Sequence, residues 1–152
     1  IKFDSIPEGI LKRCIINIHD KTCRTETLSE QCCEFAMVNP KFQGLAARYS
    51  WMATAKQEKG NGPLQSIKKL NLINYTSSTW TAAPRGFVNE PIMIPNQFSN
   101  IEDEGWIVVL VWNGERIGTD LVILNANNLS EIAILELPIP ITYGLHGNWV
   151  SQ

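Results

Sequence analysis

Hydrophobic and polar residues alternate along short segments of the chain, and turn-forming residues separate one segment from the next. Such alternation is typical of half-buried strands. Residues 106–112 are apolar throughout, which indicates a strand buried on both faces. No window of a dozen residues shows the i, i+3, i+4 spacing of an amphipathic helix. The predicted strands cover residues 11–18, 24–28, 31–38, 48–54, 66–73, 75–81, 90–94, 106–112, 119–125 and 131–137.

Short strands at spacings of about ten residues are typical of an all-β sandwich, barrel or propeller. Ile and Val together number 25 against 13 Leu, a bias that favours strands. Groups of four strands every 45 residues or so would favour a propeller, whose blades have about that length. No repeated sequence signature selects among the three, so the periodicity alone leaves the architecture open.

The length of 152 residues is typical of one domain with a buried core. Hydrophobic residues make up 44% of the chain and charged residues 18%, which excludes intrinsic disorder. The net charge is -2 and no basic run is present. We therefore expect no nucleic-acid partner, because phosphate binding needs clustered Lys and Arg. No apolar run approaches the roughly 18–20 residues of a membrane-spanning helix.

The two ends of the sequence predict a piece of a longer protein. The chain begins at Ile1 rather than Met and shows no targeting segment. It ends at Gln152, directly after an aromatic and β-branched run that indicates an unfinished strand.

Four cysteines lie in the first quarter of the chain: Cys14, Cys23, Cys32 and Cys33. None forms a Cys-x-x-Cys pair, and adjacent cysteines such as Cys32 and Cys33 form a disulfide only with strain. We therefore expect a buried, reduced set of thiols in a cytoplasmic protein.

The sequence contains two histidines in different settings. His19 lies in the polar turn 19–21, where a solvated side chain is expected. His146 lies among glycines and aromatic residues in the segment 143–149, with no charged neighbour. An imidazole in apolar surroundings tends to be neutral, as a metal ligand must be. A lone histidine is nevertheless more often a hydrogen-bonded core residue than a ligand, and the residues alone favour that interpretation.

Two acidic residues, Glu34 and Glu90, are embedded in apolar strand segments. A carboxylate buried there needs a partner, because burying it unpaired is costly. The partner could be Arg48 or Arg85 in a structural ion pair. It could also be the second ring nitrogen of a metal-bound histidine, whose tautomer and basicity such a carboxylate sets. The residues alone leave both alternatives open.

Five segments of the sequence resemble, in the same order, the motifs of the carotenoid cleavage oxygenases, a family that includes apocarotenoid and lignostilbene dioxygenases. The resemblance runs from about Ile10 to Trp149. In three places the chain departs from the family pattern: Ala36 replaces a usual Pro, Trp51 a usual Tyr and Trp149 a frequent Phe. The matching segments are Cys33-Glu34-Phe35 with Asn39-Pro40, Gly44 and Arg48-Tyr49; Trp80, 86–91 and Ile94-Pro95; 102–111; 121–126 with Leu129; and Leu137-Pro138 with Ile141 and 143–147.

The resemblance implies an all-β protein in which residues 1–152 form about three C-terminal blades of a seven-bladed β-propeller domain. It also implies a non-haem Fe(II) on the propeller axis, held by four histidines and backed by three glutamates. His146 corresponds to the last iron ligand, Glu90 to the glutamate that orients it, and Glu34 to the glutamate behind the third histidine. The other three histidines would precede this chain.

The implied reaction is cleavage of a conjugated C=C bond in a carotenoid, apocarotenoid or stilbene by O₂, which gives two carbonyl products. Phe35, Phe87 and Trp149 are candidate walls of an apolar substrate tunnel, although core packing accounts for each of them singly. The implied partners are the apolar substrate and O₂. The resemblance also implies peripheral membrane contact through segments outside this chain, for a protein whose reduced thiols predict a cytoplasmic location.

On this interpretation the isolated chain is inactive. The alternative function is a non-catalytic, truncated propeller module without its own iron site. An unrelated small β-sandwich would require all five motif matches to be coincidental.

Overall fold

Strands form almost all of the regular structure in residues 5–144 and 146–150, which the computed structural model describes. One short 3₁₀ helix, Pro40–Phe42, lies between the third and fourth strands. None of the described residues forms a helix long and apolar enough to cross a membrane. The strands are β1 (Leu11–Asn17), β2 (Thr22–Ser29), β3 (Cys33–Met37), β4 (Tyr49–Ala55), β5 (Leu64–Asn71), β6 (Ser77–Thr81), β7 (Gly86–Val88), β8 (Ile92–Pro95), β9 (Gly105–Asn113), β10 (Gly118–Asn125) and β11 (Glu131–Glu136).

The all-β prediction is confirmed, and each predicted strand corresponds to an observed one. The additional strand, β7, has three residues, too few to show an alternating pattern. The unfinished strand predicted at the C-terminus is wrong for residues 146–150, which form no strand. Within this segment, Gly147 N donates to the Glu90 side chain at Oε2 instead of to a neighbouring strand.

The strands form three antiparallel sheets. Strands β1 and β2 make a two-stranded hairpin. Strands β3, β4, β5 and β6 form a four-stranded meander in chain order. The third sheet has the order β11-β10-β9-β7, and β8 also pairs with β9. A meander of about four antiparallel strands is the typical unit of a propeller blade.

The four-stranded and five-stranded sheets enclose the main hydrophobic core. On β9, alternate residues point into this core, while the opposite face is half-buried. Burial on both faces was predicted for 106–112, and this is wrong for Trp106, which is 41% exposed. The opposite face borders a cavity near the C-terminal segment rather than a second layer of core. The buried core residues are Trp51, Ala53, Ile67, Val88, Met93, Ile107, Val109, Val111, Val122, Leu124, Ala126 and Leu129.

A buried polar cluster also joins the two sheets. Lys69 Nζ on β5 donates to Asp103 Oδ2 at 2.6 Å and to the Asn127 carbonyl at 2.7 Å. Asn127 Nδ2 donates to the same Asp103 oxygen at 2.7 Å. The Trp51 indole donates to the Ala126 carbonyl at 3.0 Å in the same interface. These bonds fix the loops 96–104 and 126–130 against the four-stranded sheet.

The four cysteines are free thiols, but they do not form one buried set. Cys32 and Cys33 are buried, as predicted, whereas Cys14 and Cys23 are exposed, so the prediction is wrong for that pair. The reason is the two-stranded hairpin, whose outer face no described residue covers. Burial raises the pKa of the Cys33 thiol to about 11.

Candidate metal-binding site at His146

His146 lies on the irregular segment that follows β11, and hydrogen bonds hold this segment along the five-stranded sheet. The Thr119 hydroxyl accepts from Ile141 N at 2.9 Å. The Tyr143 hydroxyl donates to the Val88 carbonyl. Burial raises the pKa of Tyr143, so the phenol stays a neutral donor. The segment therefore passes beside β7 and the residues that follow it.

Glu90 follows β7, and its two carboxylate oxygens contact His146 and Gly147 in this segment. Its Oε1 lies 3.3 Å from His146 Nδ1, and its Oε2 accepts from Gly147 N at 2.8 Å. The Glu90 side chain is 23% exposed and the His146 side chain 76%. The carboxylate thus binds the ring and the backbone of adjacent residues, which restricts the position of the imidazole.

The second ring nitrogen of His146, Nε2, is accessible. With Nδ1–H donated to Glu90, Nε2 carries the lone pair. No residue that the structure describes hydrogen-bonds to Nε2. The Phe35 ring meets the imidazole edge-on, with centroids 5.8 Å apart at 89°. Phe35 has a φ of 58°, and its strand pairing shifts register between Glu34 and Met37, which turns Phe35 out of the regular alternation.

Glu34 is exposed on β3, so the prediction that it is buried is wrong. The register shift that displaces Phe35 begins at Glu34, where the strand leaves its regular pairing with β4. Glu34, Glu90 and His146 nevertheless line one open cavity of about 750 Å³. The structure therefore brings all three predicted site residues to one cavity, while their roles around a metal stay predictions.

The alternative partners considered for the two glutamates lie elsewhere. The Arg48 guanidinium lies 5.4 Å from the Tyr49 ring centroid. Arg85 Nε is 4.0 Å from Glu115 Oε1, and both side chains are mostly exposed. Neither arginine pairs with Glu34 or Glu90 in the part of the chain that the structure describes. The Glu90 carboxylate pairs with a histidine instead of an arginine.

His146, with Glu90 behind its Nδ1, has the arrangement of one ligand in a metal site. An imidazole with a free Nε2 and a carboxylate behind Nδ1 is the usual arrangement of a metal-bound histidine. The interpretation of His146 as a core residue is wrong, because three quarters of its side chain is exposed. Within 5–144 and 146–150, no group of three or more His, Cys, Asp or Glu side chains could hold a metal ion. A complete site therefore needs ligands from beyond these residues.

Apolar surfaces flank the histidine on two sides. A cavity of about 650 Å³ adjoins Glu90 and Gly147, and a smaller one of about 260 Å³ adjoins His146. Trp149, a predicted wall residue, lines the larger cavity, and Phe35 lines the cavity shared by His146 and Glu34. Phe87 lies opposite Trp112 on β9 and lines none of these three. The apolar side chains in the larger cavity are Met37, Pro40, Pro91, Ile92, Met93, Ile94, Pro95, Phe98, Trp106 and Trp149.

Three groups that hold the site were not predicted from the sequence: the Asn89 amide, the Tyr143 hydroxyl and the Gly147 N–H. Asn89 Oδ1 accepts from Gly144 N at 3.2 Å, which ties the segment of His146 to that of Glu90. All three groups lie within residues 86–91 and 143–147, which carry the family resemblance. That resemblance is the one signal that could have drawn attention to them.

Comparison with known proteins gives matches to both sequences and solved structures. The sequence model of the family described as retinal pigment epithelial membrane protein (RPE65) matches residues 2–151. Apocarotenoid-15,15'-oxygenase of Synechocystis sp. is 37% identical over 151 residues, which cover 98% of this chain and 31% of that protein. Lignostilbene-alpha,beta-dioxygenase isozyme III of Sphingomonas paucimobilis is 30% identical over 129 residues, covering 78% of this chain and 26% of that protein.

Solved structures agree with these sequence matches. Cobalt-substituted Synechocystis apocarotenoid oxygenase (ACO) is 36% identical with a TM-score of 0.97, and the match covers 100% of this chain and 32% of that one. A chimera of ACO and RPE65 gives a TM-score of 0.96 at 35% identity, again over 100% and 32%. ACO is a β-propeller enzyme, so the propeller fold is confirmed. The chain spans about a third of the length of these relatives, and the number of blades in it, about three, stays a prediction.

Proposed function

This protein belongs to the RPE65 family of carotenoid cleavage oxygenases, and we propose that it forms the C-terminal part of a non-haem Fe(II) dioxygenase. The proposed reaction cleaves a conjugated C=C bond of a carotenoid, apocarotenoid or stilbene with O₂ and gives two carbonyl products. The relatives whose names state such substrates, an apocarotenoid oxygenase and a lignostilbene dioxygenase, support this class of reaction.

The contact between Glu90 and His146 is the observation that carries the proposal. In the tautomer that donates Nδ1–H to Glu90, Nε2 is free to bind a metal. Bound Fe(II) would supply O₂ activation in a site made of neutral imidazoles. We assign His146 as the iron ligand of this chain, Glu90 as its orienting carboxylate and Glu34 as a carboxylate for a histidine outside the chain.

The chain's own side chains provide positioning and an apolar surface. Gly147 N and Nδ1 of His146 both bind the Glu90 carboxylate, so the ring cannot rotate without breaking a hydrogen bond. The Phe35 ring contacts the imidazole at an interplanar angle of 89°. The cavity lined by Trp106 and Trp149 suits a hydrocarbon substrate, because most of its lining is apolar.

The proposed partners follow from the same surfaces. An apolar polyene or stilbene and O₂ are the substrates, and no nucleic acid is expected to bind, since the net charge is -2. We further propose a cytoplasmic protein that touches membranes peripherally through segments outside this chain.

The first test uses the product of the whole open reading frame that contains this sequence. Purified protein should contain Fe(II) and should cleave an apocarotenal or a hydroxylated stilbene into two carbonyl products. The variant His146→Ala should lose both the metal and the cleavage, while His19→Ala should lose neither. Cleavage that persists without metal in His146→Ala would overturn the proposal.

Residues 1–152 on their own should neither bind Fe(II) tightly nor cleave these substrates. One histidine lies at the site, and the structure offers no group of three suitable side chains among its described residues. Metal analysis after gel filtration measures this directly. A monomer of residues 1–152 that retains one equivalent of Fe(II) would contradict the expectation.

The incomplete ligand set also favours a second candidate, a non-catalytic propeller module without its own iron site. The two candidates differ in one respect that sequencing decides. A dioxygenase needs three more histidines encoded upstream in the same reading frame, whereas a non-catalytic module lacks them.

A further inference from the structure

The hairpin of β1 and β2 carries two cysteines on its exposed face. Cys14 lies opposite Thr25, and Cys23 lies opposite Ile16, so the two cysteines occupy diagonal positions on one face. Diagonal side chains on one face of an antiparallel pair lie within reach of each other. The two Sγ atoms are 3.1 Å apart, which is about 1 Å more than a disulfide bond.

Exposure distinguishes this pair from the other two cysteines. Cys14 and Cys23 are exposed, whereas Cys32 and Cys33 are buried. A small reagent in solution reaches the first pair without any opening of the core. Because a reagent in solution needs access to the sulfur atom, the four thiols divide into an accessible pair and an enclosed pair.

We propose that Cys14 and Cys23 are a reversible redox site that forms an intramolecular disulfide by exchange with a small-molecule disulfide such as oxidised glutathione. The thiolate of one cysteine attacks a sulfur of the small disulfide, forms a mixed disulfide and releases one thiolate. The thiolate of the other cysteine then attacks the protein sulfur of the mixed disulfide and releases the second. The protein loses two protons and two electrons, and the small disulfide is reduced to two thiols.

The disulfide would stabilise the hairpin of β1 and β2, which is the smallest sheet in the described residues. A two-stranded hairpin is marginally stable without further packing, and β1 and β2 form a sheet of two strands in the described residues. Arg13 connects the hairpin to the residue that follows β5: it donates to Glu26 Oε1 at 2.8 Å and to the Leu72 carbonyl at 3.1 Å. A covalent bond between the strands would suppress fraying of the hairpin end beyond Arg13.

The experiment maps the thiols after equilibration in oxidised glutathione, using the product of the whole open reading frame. Free thiols are alkylated with iodoacetamide, and trypsin then cleaves after Arg13, Lys21 and Arg24. Cys14 and Cys23 fall on different peptides, 14–21 and 22–24, so their disulfide gives a linked pair that mass spectrometry identifies. We expect the linked pair after oxidation and its loss after dithiothreitol. Amides of residues 11–29 should exchange with deuterium more slowly in the oxidised protein.

Single variants test the two-step exchange. In Cys14→Ser and in Cys23→Ser, the remaining cysteine should retain glutathione, because no second thiolate can displace it. Serine is close in size at these exposed positions, and the wild-type mapping stands on its own if a variant does not fold. Three results would overturn the proposal: glutathione on both cysteines without a linked pair, disulfides between two chains, or complete alkylation of both thiols in the oxidising buffer.

Discussion

Asp103 and Glu90 are two carboxylates in loops that border the five-stranded sheet, but their surroundings differ. The Asp103 side chain is 8% exposed, and its partners Lys69 and Asn127 both belong to the described chain. The Glu90 side chain is 23% exposed, and its partner His146 is 76% exposed. The first carboxylate completes a closed cluster between two sheets, and the second supports a ring that points into an open cavity.

Asp103 therefore belongs to a structural ion pair, whereas Glu90 makes a contact that positions His146. At Asp103 the charge of Lys69 is neutralised and its donors are used by Asp103, the Asn127 carbonyl and the Tyr49 ring at 4.1 Å. At Glu90 the partner retains a nitrogen that no described residue binds. A cluster whose groups are all paired contributes to stability, whereas a group left unpaired at a cavity is available to a ligand.

The largest expected effect is on stability, from breaking the closed cluster. Asp103→Asn keeps the size of the side chain but leaves the buried Lys69 charge without its anion. Removing one partner of a buried pair costs about 3 kcal/mol or more of unfolding free energy. Denaturant unfolding measures this cost. As the matched control, Glu115→Gln removes an exposed partner of Arg85 and should cost less than about 1 kcal/mol. Equal losses in the two variants would contradict the comparison.

The next effect is on metal binding, from removing the positioning carboxylate. Glu90→Gln keeps the side-chain length and removes the charge that holds the proton on His146 Nδ1. Loss of such a carboxylate lowers metal affinity or activity by roughly 10–100-fold. Iron content and turnover of the product of the whole reading frame provide the measurement, and Glu58→Gln, in an exposed turn, is the control. Full iron occupancy with unchanged turnover in Glu90→Gln would refute the assigned role.

The strands could be predicted from the sequence because alternation and turn residues are local signals. On β9 and β10 the alternation extends over eight or nine residues, and the predicted positions agree with the observed ones. Strand β7 could not be predicted in the same way, because Gly86–Val88 is too short for a pattern. Its pairing with β9 depends on residues more than twenty positions away.

The site depends on contacts that local patterns do not encode. His146 and Glu90 are separated by 56 positions, and the family resemblance alone linked them before the structure did. The exposure of His146 was predicted incorrectly, because an apolar sequence neighbourhood does not specify which surface a loop faces. Glu34 shows the same limit: its neighbour Cys33 is buried and Glu34 is exposed, as adjacent positions on a strand must point in opposite directions.

The buried thiol of Cys33 predicts how the free energy of unfolding depends on pH. Burial raises its pKa from 9.0 to about 11 in the folded chain. Below pH 9 the thiol is protonated in both states, so its contribution to stability is fully present. Between pH 9 and about 11 the unfolded state loses the proton first, and the free energy of unfolding should fall by roughly 2 kcal/mol. Unfolding in a series of alkaline buffers measures the slope.

The control for this slope is Cys33→Ala, in which no thiol titrates at that position. Its unfolding free energy should decline less between pH 9 and about 11 than that of the parent, whatever the difference between them at neutral pH. Parallel pH profiles for the parent and Cys33→Ala would show that Cys33 is not shielded as the structure indicates.

The smallest expected effect is that of His19→Asn, which compares the two histidines of the chain. His19 is exposed in the turn between β1 and β2, where its backbone N–H donates to Asn17 Oδ1 at 3.0 Å. Asparagine keeps that N–H and suits turns, so stability should change by no more than about 0.5 kcal/mol. Iron content should equal that of the parent protein, in contrast to His146→Ala. Loss of metal in His19→Asn would place the hairpin turn at the metal site and contradict the assignment of His146 as the histidine that this chain contributes.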